Sequence, residues 1–110
     1  MNIVERAEKG VTVFVLDGRV DTQGSVGMDQ AMQNTISQGS YKIILDMTDV
    51  TYIGSAALRS LADVLTKSKK AGGDLKLVAL SSKIMRVFRI IGFDKYFSIY
   101  DTVEAAQAAF

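Results

Sequence analysis

A chain of 110 residues has the length of one domain built around one hydrophobic core, spanning residues 1–110 with no room for a second. Its 48% apolar and 23% charged residues are those of a packed globular protein, because a disordered chain would be poorer in apolar residues and more strongly charged. A net charge of +1 is too small to drive nonspecific phosphate binding, which argues against nucleic acid as a partner. The absence of Cys and His removes the usual ligands of zinc, copper and iron sites and the usual general base of hydrolases, so no metal and no cofactor is expected.

Without Cys there is no disulfide, which fits a reducing compartment, and a cytoplasmic location is expected. Met1-Asn2-Ile3-Val4-Glu5-Arg6 carries charge where a signal peptide needs apolar residues, and no apolar run approaches the roughly 18 residues of a membrane span.

In chain order, residues Asn2 to Arg6 read as a hairpin partner for the β-branched and aromatic run Val11–Leu16, with Glu8-Lys9-Gly10 as the reversal and Asp17-Gly18 as a turn that ends the second strand. From Gly24 to Gln38, Met28, Met32 and Ile36 recur at fourfold spacing and predict a helix stopped by Gly39. Lys42-Ile43-Ile44-Leu45-Asp46-Met47 is nearly continuous in apolar residues, as a central strand covered on both faces must be, and Thr48-Asp49-Val50-Thr51 reads as a polar loop after it.

A helix is predicted from near Ser55 to just before Gly72-Gly73, with Leu58, Leu61, Ala62 and Leu65 on its dry side and Arg59, Asp63, Lys67 and Lys70 largely on its wet side. Leu75–Leu80 is a further strand. Ser81-Ser82 then caps a helix with Ile84, Val87, Phe88 and Ile91 on one side, Phe97–Tyr100 is a short last strand, and Asp101 or Thr102 caps a final Ala-rich helix. The order β-β-α-β-α-β-α-β-α predicts an α/β fold: a mixed, mostly parallel sheet with an N-terminal hairpin, faced by about four helices.

Ser55 has two readings from the residues alone. At a helix start it is an ordinary N-cap, whose oxygen accepts one backbone N–H for about 1 kcal/mol. A phosphate on the same residue would meet unsatisfied N–H groups and the positive end of the helix dipole, for about 0.3 to 1 kcal/mol or more.

Several segments together resemble the STAS family, in particular the small stand-alone anti-sigma factor antagonists of bacteria. They are Gly18-Arg19-Val20-Asp21, Lys42–Met47 followed by Val50 and Tyr52-Ile53, the Ser55 helix start, Gly72-Gly73, and Ile91–Phe97. The resemblance covers essentially the whole chain. It implies a non-catalytic partner-switching protein, which when unphosphorylated binds an anti-sigma factor that is also a serine kinase and so releases the sigma factor. Phosphorylation breaks that complex and a PP2C-type phosphatase resets it. On this resemblance Ser55 is the phosphorylated residue, Leu58 the apolar anchor after it, and Asp21 the acidic residue near the acceptor. The docking face is then Gly54, Ser55, Ala56 and Arg59 with Asp21, Thr22 and Gln23, and a monomer is expected. Two positions depart from the family pattern: Gly54 stands where Asp is frequent, and Ala57 where Gly is usual, with a methyl group expected to obstruct the approach of a kinase.

The competing reading is a non-phosphorylated STAS module that binds a small ligand or nucleotide, or scaffolds another signalling protein. Gly24-Ser25-Val26-Gly27 lacks the Lys and the strand-to-helix context of a phosphate loop, and Gly72-Gly73 reads as a helix stop. An enzyme is not expected: Asp21, Asp46 and Asp49 are the only acids gathered near one sheet edge, and turn formation and loop capping account for them.

Overall fold

The computed structural model describes residues 1–110. Strands β1 (Asn2–Glu8) and β2 (Val11–Val20) form the antiparallel hairpin, and β3 (Lys42–Ile53), β4 (Asp74–Val78) and β5 (Ser98–Tyr100) add to it in parallel, so the sheet order follows the chain order. The hairpin reverses at Lys9-Gly10, both with positive φ, which matches the twist of the two flanking strands. Helices α1 (Thr22–Ser37), α2 (Ser55–Lys70), α3 (Ser82–Ile91) and α4 (Val103–Ala108) alternate with the later strands.

Consecutive parallel crossovers of one hand place α1, α2 and α3 on one face of the sheet. Met28 and Met32 of α1, Leu61 and Val64 of α2, and Ile84 and Phe88 of α3 share a core there with Phe14, Leu16, Ile43, Leu45, Leu75 and Leu77 of the strands. The other face is thinner: Val103 and Ala106 of α4 pack on Val11, Val13, Ile44 and Val78. That face also holds Lys76, buried, with its Nζ 2.9 Å from Asp74 Oδ2 and 4.6 Å from the centre of the Phe110 ring. β3 is central, as its apolar run requires. No helix is long and apolar enough to cross a membrane.

Two strands outlast their predicted ends. Asp17-Gly18 is not a terminal turn, because β2 continues to Val20, and Thr48–Thr51 is not a loop, because β3 continues to Ile53. The reason is a pair of β-bulges. Between the pairs Val15↔Asp46 and Asp17↔Asp49, and again between Gly18↔Val50 and Arg19↔Tyr52, β3 carries one residue more than β2. Each extra residue turns the facing of β3, so its buried residues Met47, Val50 and Ile53 come every third position instead of every second. Gly18, with φ +104°, lies between the two bulges.

Two further expectations are corrected. α1 begins at Thr22, not Gly24, because Asp21 caps it by accepting the Gly24 N–H at 2.8 Å. In α3, Ile84 and Phe88 are buried, but Ile91, the last helical residue before the left-handed Gly92, is exposed.

Candidate functional site

The ends of β2 and β3 finish level: Val20 lies opposite Ile53, and the Gly54 N–H donates to the Val20 carbonyl at 3.0 Å. The chain leaves both strands directly into helices, so the first turns of α1 and α2 rise side by side at one edge of the sheet. Contacts further along show that the two helices run parallel. Ser60 donates to Asp29, and Gln33 donates to Asp63 at 2.8 Å and accepts from Lys67 at 3.1 Å.

The N-cap of α2 is Gly54, not Ser55. Glycine has no side-chain acceptor, and the first intrahelical bond runs from Leu58 N–H to Gly54 carbonyl, so the N–H groups of Ser55, Ala56 and Ala57 have no helical partner. Ser55 is the first helical residue. It is exposed, and its hydroxyl makes no hydrogen bond within the chain. The capping role open to Ser55 in the sequence is therefore excluded by position: a cap must precede the helix, and Ser55 is inside it.

Asp21, Thr22 and Gln23 are exposed at the start of α1, with the Asp21 carboxylate committed to its capping bond. Ala56 is half-buried, and Arg59 is exposed one turn beyond Ser55. Leu58 packs on the main core. Ala57 is wholly buried there, so its methyl group points away from any approaching protein, and the expected obstruction does not arise.

Three residues at this edge were given no role at the site by the sequence, although Arg19 and Tyr52 lie in the segments that carry the family resemblance. Arg19 and Tyr52 are partners in register, and the Arg19 guanidinium carbon stands 4.3 Å from the centre of the Tyr52 ring. Their pairing depends on the bulges, which no residue pattern revealed. Val26, 53% exposed on α1, stands off the Met28–Met32 stripe, a signal that was legible.

The acids do not converge. Asp46 accepts from the Thr48 N–H and hydroxyl, Asp49 lies opposite Asp17, and Asp21 caps α1. Of the titratable groups, Asp63 is held below its ordinary range, chiefly by the hydrogen bond from Gln33 and then by that from Lys67. It serves the α1–α2 seam, away from Ser55.

Residues 2–106 match the STAS domain family. The chain is 30% identical over 101 residues to BtrV of Bordetella bronchiseptica, provisionally named an anti-sigma factor antagonist, covering 92% of this chain and 87% of that one. It is 27% identical over 99 residues to the anti-sigma-F factor antagonist RsfB of Mycobacterium tuberculosis, covering 88% and 79%. The solved structure of an anti-sigma factor antagonist from Mycobacterium paratuberculosis superposes with a TM-score of 0.88 at 26% identity, over 98% of this chain and 92% of the other. A match over nearly the whole chain, on the same mixed sheet and helices, means that this chain belongs to the STAS domain family.

Proposed function

We propose that this protein is an anti-sigma factor antagonist controlled by phosphorylation of Ser55. The observation that carries the reading is the state of that residue: an exposed hydroxyl with no hydrogen bond, at the uncapped start of α2. The names of the relatives RsfB and BtrV support the same class of function. In the unphosphorylated form the face made by Asp21, Thr22, Gln23, Gly54, Ser55, Ala56 and Arg59 docks on an anti-sigma factor that is also a serine kinase. The sigma factor held by that kinase is thereby released.

The switch follows from charge. The kinase transfers the terminal phosphoryl group of a nucleoside triphosphate to Ser55 Oγ: the new O–P bond forms, the bond to the leaving diphosphate breaks, and the hydroxyl proton passes to a base of the kinase. The docking face thereby gains a charge of about −1.5 to −2, and its partner is repelled or loses contacts. A PP2C-type phosphatase returns Ser55 to its hydroxyl by hydrolysis, with water supplying the oxygen of the released phosphate. The protein supplies position and charge and catalyses neither step. It works as a cytoplasmic monomer.

The test is intact-mass and phosphopeptide analysis of protein purified from its host, with and without a PP2C-type phosphatase, beside Ser55→Ala. A phosphatase-sensitive gain of about 80 Da, one phosphoryl group, mapped to Ser55 and lost in Ser55→Ala is expected. Unmodified protein in the presence of an active cognate kinase overturns the proposal.

A further inference from the structure

Arg19 is a cation without an acidic partner. The ion pairs of the protein are Arg6–Glu8, Lys67–Asp63 and Lys76–Asp74. Of the two acids nearest in sequence, Asp21 is engaged in capping α1 and Asp17 makes no ion pair. What locates Arg19 is the ring of Tyr52, on whose face the guanidinium stacks. At an exposed site such stacking is worth about 0.5–1 kcal/mol, and it leaves the N–H donors of the guanidinium free.

The same ring reaches the residue before Ser55. A β-carbon built on Gly54 would stand 3.5 Å from both the Oη and the Cε2 of Tyr52. One aromatic plate thus carries a cation on its face and borders the start of α2 at its edge. Helical side chains leave the backbone tilted toward the helix N-terminus, so a group attached to Ser55 Oγ projects toward the strand ends and Arg19. The same tilt brings Arg59, exposed one turn further along α2, back toward Ser55, so Arg59 is the competing cation.

We propose that Arg19, positioned by Tyr52, is the counter-ion of a phosphoryl group on Ser55. The inference rests on Ser55 being the phosphate acceptor. Guanidinium and phosphate match as a bidentate pair, and the stacking that holds Arg19 on the ring is weak enough for a charge-assisted pair to replace it. Phosphorylation then changes the docking face twice. It adds negative charge at Ser55 and withdraws the positive charge that Arg19 offers a partner.

The experiment installs phosphoserine at position 55 during translation, which needs no kinase, and follows the ³¹P resonance through a pH titration. The charged and titratable groups around the phosphate are Asp17 and Arg19 on β2, Asp21 at the start of α1, Tyr52 on β3, Arg59 on α2 and the N-terminal amine of Met1, whose Cα would stand 3.6 Å from a β-carbon on Gly18. The second ionisation of phosphoserine falls near 6, and a paired cation lowers it. Arg19→Ala and Arg19→Gln are each expected to raise the midpoint by about half a unit or more, about a threefold change in proton affinity. Tyr52→Leu should raise it less, and Arg59→Ala least. Both Arg19 variants leaving the midpoint within about 0.1 unit of the parent protein, or Arg59→Ala having the largest effect, overturns the proposal. Amide spectra recorded alongside verify that each variant is folded. Because the phosphate is installed directly, the titration reads Arg19 even if host cells never phosphorylate Ser55, so the two proposals fail separately.

Discussion

Ser55 and Ser81 both begin helices in the sequence, but the structure gives them opposite roles, and alanine at each tests the difference. Ser81 is a true N-cap: its backbone is extended and its Oγ accepts the Ile84 N–H at 3.2 Å. Removing such a cap costs about 0.5–2 kcal/mol, typically 1. Ser55 follows the cap and its hydroxyl is unbonded, so Ser55→Ala loses no hydrogen bond and gains slightly in helix propensity, for a net change within about 0.5 kcal/mol. In a domain of this size 1 kcal/mol is about 4–8 °C in Tm. Thermal and urea unfolding should therefore show Ser81→Ala lowered by several degrees, with Ser55→Ala close to the parent. Equal losses at the two positions would mean that Ser55 caps α2 in solution, and the argument for a free acceptor hydroxyl would collapse. The same pair of variants also separates function from stability, since phosphorylation should vanish only in Ser55→Ala.

Other perturbations follow from the same edge of the fold. A β-carbon on Gly24 would fall 2.8 Å from the Arg19 carbonyl oxygen, whereas one on Gly27, a turn later in α1, meets nothing within 4 Å. Gly24→Ala should lose about 1 kcal/mol or more and Gly27→Ala gain up to about 1 kcal/mol, so urea midpoints moving in the same direction would contradict the packing. Gly54→Asp supplies the missing cap with its β-carbon in ordinary contact with Tyr52, for a gain of a few tenths of a kcal/mol and about 1–2 °C, and calorimetry showing a loss would place α2's start elsewhere. Asp63 is bound more strongly as the carboxylate than in the unfolded chain, so its stabilisation is complete above the ordinary carboxylate value near 3.9 and disappears as pH falls through the lower folded value. Gln33→Ala, which removes the largest cause, should move the Asp63 midpoint upward in a carbon-detected NMR titration, and an unchanged midpoint would refute that assignment.

The order of strands and helices was legible because each segment repeats its apolar residues at one period. Caps were narrowed to Ser81-Ser82 and to Asp101 or Thr102 because polar residues precede an apolar run, and of these Ser81 and Thr102 each accept from the third residue on. The site was legible as a set of residues but not as an arrangement. Thr48, Asp49 and Thr51 look like a loop because local composition reports polarity, and the bulges that keep them in β3 appear only in the pairing with β2. The identity of the α2 cap was hidden in a similar way. Glycine caps by backbone shape alone, so Ser55 drew the assignment that belonged to its neighbour.

Chain direction decides which edge of this sheet can act as a switch. In parallel crossovers every helix begins where a strand ends, so the exposed helix starts of α1 and α2 gather at one edge and their closed C-terminal turns at the other. That opposite edge also has a hollow, lined by Gly10, Gly39, Ser40, Tyr41, Lys42 and the Ala71–Gly73 turn. One of its glycines has a packing reason: a β-carbon on Gly73 would stand 1.9 Å from the Tyr41 carbonyl oxygen, where two chain segments cross, and the Asp74 N–H bonds that same carbonyl at 3.0 Å. An added phosphate there would face the negative ends of the helices, whereas at Ser55 it faces their positive ends. The two extra residues in β3 complete the arrangement: they let a longer strand finish level with β2, setting Tyr52 beside Arg19 three residues before Ser55. Thr51 is the unpaired residue of the second bulge, so deleting it would leave Arg19 opposite Tyr52 and Val20 opposite Ile53 while restoring regular alternation from Val50 to Ile53.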